Sequence, residues 1–183
     1  MADMGFMPSV RRLLDQTNSK RQTFLFSATL DGDVAKLTRD YQTNPIHHEI
    51  GEEKPDIKSA HHLFWKITNT NKTETTAEAV NAVWPAIIFC RTRHGSDRLS
   101  KRLTKLGVHG VTIHGGKSQN QRSRALSDFT KGRVQALIAT DVAARGIHVD
   151  GVASVIHYDP PEDHKAYIHR SGRTARAGRS GIV

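Results

Sequence analysis

Val134-Gln135-Ala136-Leu137-Ile138-Ala139-Thr140 is a nearly unbroken apolar run that stops at a hydroxyl and continues as Asp141-Val142-Ala143-Ala144-Arg145-Gly146. The run reads as a strand. Upstream, Arg122, Ala125, Leu126 and Phe129 keep helical spacing ahead of Gly132, and Gly110 to His114 reads as a second strand. Further upstream come a helix through Leu99, Leu103 and Leu106, ended by Gly107, and strands over Ala86 to Cys90 and His62 to Ile67. Downstream, Ala153 to Tyr158 is another strand, closed by Pro160-Pro161. Alternating strands and helices predict a parallel α/β sheet flanked by helices. Right-handed crossovers then gather the loops that follow the strands on one edge, where ligands of open α/β sheets bind.

The first fifty residues form a separate group. Val10, Leu13 and Leu14 predict a helix over 9–18, and Thr23-Phe24-Leu25-Phe26 predicts a short buried strand that delivers Ser27-Ala28-Thr29. A helix through Val34, Leu37 and Tyr41 ends before Pro45. The charged stretch 51–59 has no periodicity and is expected to be a linker. The predicted domains are therefore 1–50, and 60–183 beyond the linker. Thr68 to Thr76 is expected to be a loop leading into a helix through Ala79, Val80 and Val83.

Composition narrows the function. The net charge of +9 divides into −1 over residues 1–90, +9 over 91–145 and +1 over 146–183. So concentrated a cationic block suits a polyanion, whose binding releases counterions. Cys90 is the single cysteine, which excludes an internal disulfide, and its place in an apolar run predicts inert packing. His47-His48 and His61-His62 lack the partners and spacing of a zinc site. No apolar run approaches the ~20 residues needed to span a bilayer, and no signal peptide is evident at the start. The expectation is a cytoplasmic protein without membrane contact.

His169-Arg170-Ser171-Gly172-Arg173-Thr174-Ala175-Arg176-Ala177-Gly178 carries three arginines at three-residue spacing between glycines. Guanidinium forks grip phosphate oxygens bidentately, and glycines admit close approach. A solvated basic loop has the same composition, so the segment alone leaves both readings open. Gly116-Lys117-Ser118 ends like a phosphate-binding loop, G-x-x-x-x-G-K-S, but Val111 stands where the first glycine is required.

Four stretches in order, Phe26-Ser27-Ala28-Thr29, Ile87-Ile88-Phe89-Cys90-Arg91-Thr92-Arg93, Ala139 to Gly146 and His169 to Gly178, resemble the DEAD-box RNA helicases over essentially the whole chain. The resemblance implies two RecA-like domains with ATP and Mg2+ held between them and RNA lying across both. It further implies that residues 1–50 are the end of the first domain and that 60–183 are the helicase C-terminal domain. Met1 to Phe6 is similar to the stretch after the Asp-Glu-Ala-Asp motif, which the sequence itself does not contain, and Ser180 to Val183 reads as the start of a further strand.

By the same resemblance, Arg173 and Arg176 are arginine fingers for the γ-phosphate, and Gly146 and His169 belong to the nucleotide-facing side. Ser27 and Thr29 couple hydrolysis to strand separation. Thr92, Gly115, Gln119, Arg122, Thr140 and Arg145 contact the RNA backbone, single-stranded or short duplex, without reading bases. Strand-end capping at Thr92 and Thr140, and a plain turn at Ser27, are the alternatives from the residues alone. His148 stands where the family usually has an Asp that holds the ribose. The expectation for the 183 residues alone is no tight binding of ATP and no turnover, because the first domain's phosphate-binding loop is a required partner. The competing expectation is a non-catalytic RNA-binding or regulatory module.

Overall fold

Side chains of the central strands point alternately into two separate apolar clusters. In the computed structural model, which describes residues 7–27, 32–48, 59–144, 147, 149–175 and 179–183, the chain divides into two compact units, Met1–Glu53 and Lys54–Val183.

The second unit is built on a six-stranded parallel sheet of β1 (Ala60–His61), β2 (Ala86–Phe89), β3 (Gly110–Ile113), β4 (Ala136–Ala139), β5 (Ser154–His157) and β6 (Gly181–Ile182), in the order β1-β6-β5-β2-β4-β3. Ile87 and Phe89 of β2 and Leu137 and Ala139 of β4 face one cluster, closed by Phe129, Ala143 and Val152. Ala86, Ile88, Ala136 and Ile138 face the other, closed by Val80, Leu99 and Leu103. Burial on both faces explains why these strands are continuous apolar runs. The covering helices are α3 (Lys72–Ala82) and α4 (Arg93–Lys105) on one face and α5 (Gln119–Thr130) and the short α6 (Asp141–Ala144) on the other. Gly107 and Gly132, at φ 82° and 66°, follow the last turns of α4 and α5 in the left-handed conformation that glycine tolerates.

The first unit holds α1 (Met7–Asp15) and α2 (Gly32–Tyr41). Arg11 pairs with Asp40 at 2.6 Å and the Tyr41 hydroxyl donates to Asp15 at 2.6 Å. The expected strand at Thr23 to Phe26 does not form: the stretch has no strand pairing among the described residues, and Phe26 is 93% exposed. A strand exists only against a neighbour, and among the described residues of this unit there is none.

The strand expected over His62 to Ile67 is likewise shorter. Pairing stops after the Leu63 N–H donates to the Val183 carbonyl at 2.7 Å, and Leu63, Phe64, Trp65 and Ile67 stay exposed. Trp84 is also about half exposed. The helix through Val80 starts at Lys72, inside the stretch expected to be a loop. The helix α7 (His164–Ser171) was not foreseen in the sequence; the Asp163 side chain caps it by accepting the Ala166 N–H at 2.7 Å. Among the described residues no helix is long and apolar enough to cross a membrane.

His157, at the end of β5, stacks on Tyr167 at 4.8 Å and has a buried Nδ1 without a hydrogen-bond partner. Burial, and then the Arg170 charge, push its pKa down to about 4. The folded state therefore keeps the ring neutral while the unfolded chain takes a proton near pH 6.5, so stability is full above about 6.5 and falls as the pH drops towards 4. The folded-to-unfolded ratio is expected to drop by up to about tenfold per pH unit in that window. Thermal melts of His157→Phe should show that slope flattened.

Candidate functional site

The C-terminal ends of β2, β4 and β3 lie side by side, with Phe89 level with Ala139 and Ala139 level with Ile113. The segments that leave them carry Thr92, Thr140 and Gly115, which the topology thus collects on one edge. Thr92 is the N-cap of α4: its Oγ1 accepts the Gly95 N–H at 3.0 Å. A hydroxyl has one proton to give besides, so this capping role leaves it a donor. Thr140 is only 8% exposed, and its carbonyl accepts the Ala143 and Ala144 N–H groups that open α6.

Gly115 and Gly116 are exposed, and the Arg93 guanidinium runs beside them; a side chain on Gly115 would meet its Nη2 at 3.6 Å. This glycine loop is shaped from behind by Asp97 of α4, which takes His114 Nε2 at 3.1 Å, the Thr112 hydroxyl at 3.0 Å and the Lys117 ammonium at 3.1 Å. Burial alone would raise the Asp97 pKa, but these three hydrogen bonds hold it at about 2. His114 Nδ1 in turn receives the Gly116 N–H. Lys117 therefore faces a carboxylate, and Ser118 opens α5 with a capping box, its Oγ accepting from Gln121 N and its N–H donating to Gln121 Oε1.

Gln119 and Arg122 follow one helical turn apart on α5 and share a face. Gln119 is exposed, whereas Arg122 is half-buried with its Nε lacking any protein hydrogen-bond partner. Guanidinium, hydroxyl and glycine backbone make a donor-rich edge suited to phosphate oxygens.

The arginine segment does not behave as three equal cations. Arg170, in the last turn of α7, is 2% exposed and points into the unit. Its Nε and Nη2 both donate to the Asp141 carboxylate at 2.7 Å, its Nη1 to the Asp159 carbonyl at 2.7 Å, and it lies over the Phe89 ring. The Asp159 side chain accepts the Arg91 N–H and the Lys72 ammonium, both at 2.9 Å. Burial would raise its pKa, yet the Arg91 and Lys72 contacts hold it below the usual carboxylate range. Asp97, Asp141 and Asp159 organise the edge, and sequence reading missed all three because each partner is distant in the chain.

Arg173 lies beyond α7, half-buried, and donates from Nη1 to the Ile147 carbonyl at 2.7 Å. It therefore does not stand directly after a strand, as Thr92, Gly115 and Thr140 do. The neighbouring Thr174 hydroxyl donates to the Val152 carbonyl at 2.6 Å, and Gly181 packs so closely on Thr174 that a side chain there would collide with it. Arg173, Asp150 and Arg179 line an open cleft of about 640 Å³. The two guanidinium groups can donate to phosphate oxygens, and the carboxylate can accept from a sugar hydroxyl. His169 is exposed in the last turn of α7. Ser27 belongs to the first unit, and Thr29, Arg145, Gly146, His148 and Arg176 lie outside the described residues.

Cys90 is fully buried, and burial pushes its thiol up to about 12, so it carries no thiolate at neutral pH. Among the described residues no group of three or more His, Cys, Asp or Glu is placed to hold a metal ion.

Comparison with known proteins gives one answer. A family model described as the helicase conserved C-terminal domain matches residues 71–178. The ATP-dependent RNA helicase DbpA of Bacillus subtilis is 38% identical over 99% of this chain and 38% of its own length. RhlB of Pseudomonas putida, also named an ATP-dependent RNA helicase, is 38% identical over 100% of this chain and 47% of its own length. The chain thus spans less than half of these relatives. Among solved structures, Dbp5 of S. cerevisiae bound to RNA and ADP BeF3 superposes with a TM-score of 0.80 at 29% identity, covering 98% of this chain and 48% of that one. The E. coli DEAD-box protein SrmB, bound to RraA, gives 0.58 at 34% identity, covering 70% of each.

Proposed function

The chain belongs to the DEAD-box RNA helicases and carries their RecA-like C-terminal helicase domain, and from that premise we infer that it forms one jaw of an ATP-driven clamp on RNA. The sugar-phosphate backbone crosses the edge bearing Thr92, Gly115, Gln119, Arg122 and Thr140, and Arg145 is a further contact by family resemblance. Arg173 and Arg176 serve the γ-phosphate of a nucleotide whose phosphate-binding loop another domain supplies, and Gly146 and His169 serve the same nucleotide. Ser27 and Thr29 exchange hydroxyl partners as the jaws close.

The observation that carries this reading is the placement of Thr92, Gly115 and Thr140 after three adjacent parallel strands, with an arginine on α5 whose buried Nε has no hydrogen-bond partner among the described residues. None of these groups reads a base edge, so binding is indifferent to sequence. Bound ATP and Mg2+ supply the phosphoryl group and its charge neutralisation; this chain's part is to orient the RNA and to stabilise negative charge on the transferring phosphoryl group through its guanidinium forks. Closure bends one RNA strand so that it cannot stay paired.

Filter binding of a uridine oligomer tests this against a purely RNA-binding module. With the phosphate-binding domain of a relative added in trans, the affinity is expected to rise with a non-hydrolysable ATP analogue and fall with ADP. An affinity unchanged by nucleotide would leave only the RNA-binding module. The 183 residues alone are expected to show no RNA-stimulated ATP turnover.

A further inference from the structure

We propose that the outer face of α4 is a second RNA-backbone contact, which extends the path of the strand away from the sheet edge and along the flank of the domain. Arg98, Lys101, Arg102 and Lys105 are all exposed, at spacings of three, four and seven residues, so they form one stripe. Leu99 and Leu103, on the opposite side of the helix, are buried on the sheet. Among the described residues none of the four cations has an ion-pair partner, and the only acid of α4, Asp97, is committed to His114 and Lys117. The neighbouring α3 exposes Glu74 and Glu78, neither in an ion pair with the stripe.

Helix stability alone does not account for this arrangement. Cations in the last turn, Arg102 and Lys105, complement the helix dipole, but Arg98 and Lys101 lie before it. Four like charges on one face repel each other unless an anion joins them. The stripe has no aromatic or aliphatic centre of the kind that anchors a protein partner; Leu106, 40% exposed, is the one large apolar side chain at its end. A nucleic-acid strand is favoured over an acidic protein because α4 begins at Thr92 and Arg93, inside the candidate RNA edge, so the two surfaces are continuous. The thirteen residues of α4 extend ~20 Å, about six nucleotides of a stacked strand at ~3.4 Å each.

This inference rests on the edge being RNA-facing, and the test separates the two. Two uridine oligomers are used on the whole chain, one of about six nucleotides that covers the edge and one of about fifteen that also reaches the stripe. The variant Arg98→Gln, Lys101→Gln, Arg102→Gln, Lys105→Gln should bind the short oligomer as the parent does. For the long one its salt slope should be shallower by ~2.8, so that going from ~50 to ~200 mM salt weakens the parent about 50-fold more than the variant. A charge-conserving control, Arg98→Lys with Arg102→Lys, should keep the parent slope, and circular dichroism shows whether each variant is folded. An unchanged slope for the long oligomer in the folded glutamine variant overturns the proposal. So does polyglutamate held by the stripe as tightly as RNA, which would point to an acidic protein. Failure of the edge reading shows elsewhere, as short-oligomer binding that is indifferent to Arg122→Ala.

Discussion

Arg173→Ala is expected to cut RNA-stimulated ATP turnover by about 10³-fold when the chain works with a domain that holds the nucleotide. The loss should appear in kcat, because a guanidinium that meets charge developing on the phosphoryl group acts on the transition state far more than on the bound substrate. RNA binding should be nearly untouched, since Arg173 lies beyond α7, bonded to the Ile147 carbonyl, and is not one of the proposed RNA contacts. Arg173→Lys should recover little, because an ammonium keeps the charge but not the planar fork. Phosphate release measured with saturating RNA checks this; turnover that survives the alanine change removes Arg173 from the chemistry.

Asp141→Ala should destabilise the second unit by about 3 kcal/mol, a large part of a domain's whole stability. The carboxylate is the bidentate partner of a guanidinium that is 2% exposed, so among the described residues its removal leaves a buried charge with the Asp159 carbonyl and the Phe89 ring. Asp141→Leu combined with Arg170→Met should cost much less than the two single changes added together, because no charge is then stranded. Urea titrations followed by circular dichroism give both numbers. Arg170 also joins the segment after β4 to the segment after β5, with Arg173 three residues further along the same chain. Loosening it should therefore blunt RNA binding and turnover together in whatever fraction remains folded.

The central sheet was legible because its chemistry is redundant. Ala86 to Cys90 and Val134 to Thr140 are apolar at every position that two covering layers would demand, and Leu99, Leu103, Ala125 and Phe129 keep helical spacing where α4 and α5 bury them. Thr23 to Phe26 has the same apolar character and yet does not pair, because composition records what a strand would bury and not whether a neighbour is there. α7 was invisible for the opposite reason. Its inward side chains include Tyr167, stacked on His157, and Arg170, so polar residues occupy the face where periodicity looks for leucine.

The candidate edge was legible as far as Thr92, Gly115 and Thr140, each placed by the strand before it. Its acidic support was not. Asp97 and His114 are 17 residues apart, Asp141 and Arg170 are 29, and Asp159 and Lys72 are 87, separations that only the folded chain closes. From spacing alone Arg170 and Arg173 carry the same chemistry, and only the family resemblance singles out Arg173; in the fold one is an internal strut and the other stands beside a cleft.

The chain has two tryptophans, and the structure leaves both half in water, Trp65 at 54% and Trp84 at 48% exposure. Their emission should already be red-shifted in the native protein and change little on denaturation. A flat fluorescence trace would therefore not mean an unfolded sample. Quenching of the same two indoles by iodide, in contrast, would report whatever comes to cover the stretch from Leu63 to Ile67.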